Sequence, residues 1–130
     1  MPLFKRKKKE NDSKTEMQQQ VKKEHLTEQI ENYKTKLQNA ESEGVDQIHI
    51  LNMLGSLYFE IENYDQAIKY YEASIEENKA LGKAFTDLIK LYNIKRKEAT
   101  KENDKEKVQL YLQKSDDLMK LTKDSIRGRI

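Results

Sequence analysis

The chain has two histidines, His25 and His49, standing 24 residues apart. Neither belongs to a His-x3-His or Glu-x2-His pair, the spacings that place two metal ligands on one helix face. His49 follows Ile48 at the start of a helical pattern and reads as solvent-facing. Adjacent carboxylates occur at Glu76-Glu77 and Asp116-Asp117. General acid–base work needs a carboxyl whose affinity for protons is raised by an apolar setting, and these pairs sit among polar residues. Cysteine is absent, so there is no thiolate nucleophile, thiolate metal site or disulfide. No Gly-rich phosphate loop and no Gly-x-Ser-x-Gly elbow is present. The residues therefore assign no catalytic group, no metal and no cofactor, and the chain reads as a non-enzyme.

Two other residue classes could bind something. Seven tyrosines could stack on nucleic-acid bases. Tyr58, Tyr64, Tyr71 and Tyr92 instead fall on helix-packing positions, which leaves Tyr70 and Tyr111 as candidates for an exposed partner surface. The second class is a basic run, Lys5, Arg6, Lys7, Lys8 and Lys9. Residues 1–15 hold six basic and two acidic side chains, whereas the remaining residues hold 19 basic and 21 acidic. A basic tail on a slightly acidic body can meet anionic lipid or nucleic acid, or serve only to solubilise.

The elements that position these groups are helices. Charged residues make up 37% of the chain, the only proline is Pro2, and there are four glycines. Few breakers among many Lys, Glu, Leu and Gln residues imply an all-α fold. No apolar run is long enough to span a membrane, and no apolar stretch follows the N-terminal charges as in a secretory signal. Residues 1–15 are expected to be a structureless tail, residues 16–125 a helical domain and residues 126–130 a C-terminal tail. The first helix is expected over about 16–43, with Leu26, Ile30, Tyr33, Leu37 and Ala40 as its apolar stripe and Gly44 as its cap. A second helix reaches Glu62 and contains Gly55. Asn63 caps a third over 64–78, with Gln66 in capping-box position. A fourth covers 80–97 and a fifth 104–123.

Leu54-Gly55, Tyr58, Tyr64, Ala67 and Tyr71 stand at the spacings of two antiparallel helices in close contact. Phe85, Leu88 and Tyr92 lie 34 residues after Leu51, Leu54 and Tyr58. Val108, Leu112, Ser115 and Met119 then follow Ala67, Tyr71, Ser74 and Asn78 at an offset of 41, which implies a seven-residue insertion. This pattern resembles the tetratricopeptide repeat. The resemblance covers about residues 48–122, with one good copy and one degenerate copy in which Ile89 replaces the glycine. It implies a fragment of an α-solenoid of helix-turn-helix repeats, with an extra N-terminal helix as cap.

The resemblance also implies a function. In this family the first helix of each repeat lines a concave groove. The matching positions are His49, Asn52, Ser56, Phe59 and Glu60 in the first copy. In the second they are Lys83, Thr86, Asp87, Lys90 and Asn93. Phe59 is the large apolar member and is expected to be an exposed hot spot. The lysine-and-asparagine clamp that some relatives use for a C-terminal carboxylate is absent, since Asn52 and Ser56 stand in its place. The implied role is a non-catalytic protein–protein interaction adaptor. The alternative is a protein recruited to nucleic acid or membrane by its basic tail. A lysine-rich chain without cysteine is compatible with a bacterial cytoplasm, with peripheral membrane attachment if the tail meets lipid.

Overall fold

The computed structural model describes the backbone of residues 2–40, 46–77 and 82–126, and the side chains of residues 15–40, 46–77 and 82–123. Among the described residues five α-helices follow one another: α1 Pro2–Gln38, α2 Gln47–Glu60, α3 Tyr64–Glu77, α4 Lys83–Lys101 and α5 Lys105–Ile126. No strand occurs among the described residues. Each helix packs on the next in sequence, and α2 also touches α4. The fold is thus all-α and built from antiparallel helix pairs stacked in series, with α1 as the extra helix in front.

Local sequence fixes where these helices begin and end. Asp46 caps α2, its carboxylate accepting the backbone N–H groups of Ile48 and His49 at 3.1 and 3.3 Å. The α2 helix closes on a Schellman motif, in which Asn63 N–H donates to the Tyr58 carbonyl and Glu62 N–H to that of Phe59. Glu62 takes the left-handed conformation this requires, at φ 64°. Asn63 then caps α3 by accepting the Gln66 N–H at 3.4 Å. The same device joins α4 to α5. Asp104 N–H donates to Ala99, Asn103 sits at φ 57°, and Asp104 accepts the Lys107 N–H at 3.2 Å. The cap expected at Gly44 lies outside the described residues.

The core lies between the helix pairs. Ile30 from α1, Ile50 and Leu54 from α2, Tyr71 from α3, and Leu88 and Leu91 from α4 are almost wholly buried. Gly55 explains how closely α2 and α3 approach. A Cβ at that position would stand 2.7–2.8 Å from three ring carbons of Tyr71, so only glycine admits the ring. Ala67, fully buried, is the small residue on the facing helix.

Three expectations are corrected. First, the α1 backbone is helical from Pro2, where a structureless tail over residues 1–15 was expected. Proline is tolerated at the first helical position, and no breaker follows it in α1. Second, the core register of α5 differs from the offset of 41. Leu112 and Met119 are exposed, while Leu118 is buried and Tyr111, Lys114, Ser115 and Leu121 are half-buried. The turn residues do obey the offset of 41, as Asn103 against Glu62 shows. Tyr92 obeys 34, so the seven added residues lie within α4 between Tyr92 and Ala99. They carry the turn about two helical turns outward, and α5 must travel back the same distance before it meets the core. Third, Tyr70 and Tyr111 are not free at the surface. Tyr70 stacks on Tyr58 with centroids 5.6 Å apart, and Tyr111 leans on Tyr92 at 6.1 Å.

Candidate binding face

The ten residues expected to line a groove fall on α2 and α4. His49, Glu60, Lys83, Thr86, Lys90 and Asn93 are exposed. Asn52, Ser56 and Phe59 are half-buried, and Asp87 is buried at 7% exposure. The face therefore has a polar floor and open rims.

Side-chain hydrogen bonds tie the floor together across three helices. Lys83 Nζ on α4 donates to Ser56 Oγ on α2 at 2.9 Å. Ser56 in turn lies near the Tyr71 hydroxyl on α3 and lowers its affinity for the proton slightly. The Tyr71 hydroxyl donates to Asp87 Oδ2, back on α4, at 2.6 Å. Burial pushes the Tyr71 hydroxyl far above its ordinary value, and the Asp87 carboxylate adds to this because the bound proton serves it. Beside these bonds, Ser74 Oγ donates to Asn52 Oδ1 at 2.5 Å and links α3 to α2. Asp87 is thus a structural acceptor and not a groove-lining residue: its carboxylate is buried, and burial requires a partner.

Phe59 is corrected as well. It packs against the core and meets Tyr64 edge-to-face at 6.0 Å, so the fold holds part of its surface. Two floor residues, Tyr71 and Ser74, were assigned by sequence only to packing. Polar atoms on packing positions were the signal that could have shown them. Lys97, one heptad beyond Lys90, is exposed and lies on the same side of α4. The side chains of Lys5, Arg6, Lys7, Lys8 and Lys9 lie outside the described residues.

A second polar knot sits on the opposite side of α4. The Tyr92 hydroxyl and Lys114 Nζ both donate to Glu72 Oε2, at 2.6 and 2.8 Å, joining α4 and α5 to α3. Burial first, then the Glu72 carboxylate, raises the Tyr92 hydroxyl far above its ordinary value. Glu76, Glu77, Asp116 and Asp117 are exposed on helix faces. Among the described residues no three His, Asp or Glu side chains are grouped to hold a metal, and no helix is long and apolar enough to cross a membrane.

Antiparallel helix pairs stacked in series, with first helices sharing one open face, define a helical-repeat module. Residues 48–81, covering α2, α3 and the start of the connection to α4, match the family model of the tetratricopeptide repeat. The chain carries a tetratricopeptide repeat there, and such repeats are protein-interaction modules that are typically non-catalytic. Comparisons with curated proteins and with solved structures find no match.

Proposed function

We propose that the chain is a non-catalytic adaptor that holds a segment of a partner protein on the face shared by α2 and α4. The observation that carries this reading is the Lys83–Ser56 hydrogen bond. It fixes the first helices of both pairs side by side while leaving His49, Glu60, Thr86, Lys90 and Asn93 open to solvent. A preorganised floor lowers the cost of ordering side chains on binding. Half-buried Phe59 offers an apolar contact already held in place by Tyr64.

Site-specific photo-crosslinking tests this. A photoreactive residue at Thr86, on the shared face, is expected to form an adduct with a protein partner. The same residue at exposed Lys69 on α3 is expected to give none. Adducts from Lys69 alone would contradict the reading.

A further inference from the structure

The exposed rim of α4 carries a charge pattern that specifies the partner more closely, and the inference rests on the shared face being the binding face. Lys83, Lys90 and Lys97 recur every seven residues and are all exposed. A heptad step rotates a side chain by only about 20°, so the three ammonium groups form one row. Lys83 points to this face through its bond to Ser56, which orients the row. Lys90 and Lys97 take part in no ion pair among the described residues, whereas Lys95 on the other side of α4 is held by Asp65 and Glu98 at 3.1 and 3.2 Å. Carboxylates that could neutralise the row are few. Asp87 is buried and bonded to Tyr71, and Glu60 on α2 is the one exposed acid among the ten residues of this face.

Seven residues of helix rise about 10.5 Å. A polyproline II segment rises about 3.1 Å per residue and returns every third side chain to the same face, so it covers about 9.3 Å per repeat, close to the lysine spacing. We infer that the α2–α4 face takes an acidic segment of a partner protein in polyproline II conformation, with carboxylates at every third position pairing in turn with Lys83, Lys90 and Lys97. Thr86 and Asn93 stand exposed between the lysines. The Thr86 hydroxyl donates to the Gly82 carbonyl at 3.3 Å and the Asn93 amide oxygen accepts from Arg96 at 3.5 Å, which leaves the Thr86 oxygen to accept from, and the Asn93 NH2 group to donate to, the segment's backbone. The recognised element is internal to the partner, because the charge runs along the helix and is not gathered at one end to clamp a chain terminus.

Fluorescence anisotropy with C-terminally amidated peptides tests the inference. One peptide carries Glu at every third position, and a second has the same composition with its Glu residues contiguous. The first is expected to bind more tightly, and to weaken about tenfold when either Lys90→Glu or Lys97→Glu is introduced. Lys69→Glu is expected to change nothing, and the melting midpoints of all three variants to match the parent. Equal binding of the two peptides, indifference to both reversals, or equal affinity of the same lysines for a single-stranded DNA oligonucleotide would overturn the inference. The broader reading is separable from it. Neutral peptides selected from a random library and lost on Thr86→Tyr would keep the face and discard the acidic register. Selected peptides indifferent to Thr86→Tyr would discard both.

Discussion

The α2–α3 and α4–α5 hairpins share one turn chemistry and differ in everything that turn does not control. Both close on a Schellman motif with a left-handed residue, followed at once by an Asn or Asp cap. Between the arms they diverge. In α2–α3, Gly55 admits the Tyr71 ring and Ala67 completes a close contact. In α4–α5, Ile89 fills the glycine's place and is half-buried against the core, and the described part of α5 fully buries only one large apolar residue, Leu118. The α5 helix is anchored to its neighbours partly by Lys114 on Glu72. The difference shows what a repeat needs in order to be recognised. Caps define the hairpin, but fixed spacing between small and large residues defines the family, and the matched segment ends at residue 81.

The largest expected effect strikes the closer hairpin. Gly55→Ala puts a methyl group where ring carbons of Tyr71 already stand, and it should cost about 2–3 kcal/mol despite the better helix propensity of alanine. Thermal melting checks this, and a midpoint equal to the parent's would mean that the two arms are not in contact. Ile89→Ala in the looser hairpin should cost about 1–2 kcal/mol, since the side chain is only partly buried.

The two tyrosine knots sharpen the contrast. Tyr71→Phe strands the buried Asp87 carboxylate without its hydroxyl donor, and should cost about 1–2 kcal/mol in denaturant titration. Tyr92→Phe leaves Glu72 still paired with Lys114 at 2.8 Å, so it should cost less than about 1 kcal/mol. Both hydroxyls hold their protons more tightly folded than unfolded. Their contribution is complete below the ordinary tyrosine value near pH 10 and falls away above it. Alkaline loss of stability should therefore be shallower in each Phe variant, and identical slopes would show that these hydroxyls do not titrate with unfolding.

The smallest effect concerns the shared turn. Glu62 has a Cβ in the left-handed region, whereas Asn103 belongs to a residue type that tolerates it. Glu62→Gly should stabilise by about 0.5–1 kcal/mol, and Asn103→Gly should be close to neutral. Equal gains at both sites would erase that distinction.

Much of this architecture was legible because it is local. Asn63 with Gln66, the glycine at 55 and the offset of 34 through Tyr92 all depend on neighbours a few residues away. The α5 register was not legible. A seven-residue insertion in one arm changes which residues of the other arm reach the core, and that depends on a distance travelled in space. Asp87 and Phe59 were misplaced for a related reason. Their helix faces were right, but burial was decided by Tyr71 and Tyr64 reaching across from α3. The Lys97 position was readable as one heptad beyond Lys90 and was passed over because it lies within the inserted stretch.

The central claim is that a partner binds along α2 and α4 together. Amide chemical-shift mapping of the isotope-labelled chain, titrated with the crosslinked partner's binding segment, tests it most directly. Shifts are predicted to concentrate in residues 49–60 of α2 and 83–97 of α4, running along both helices. Shifts confined to α1, α3 and α5, with α2 and α4 unmoved, would contradict the account.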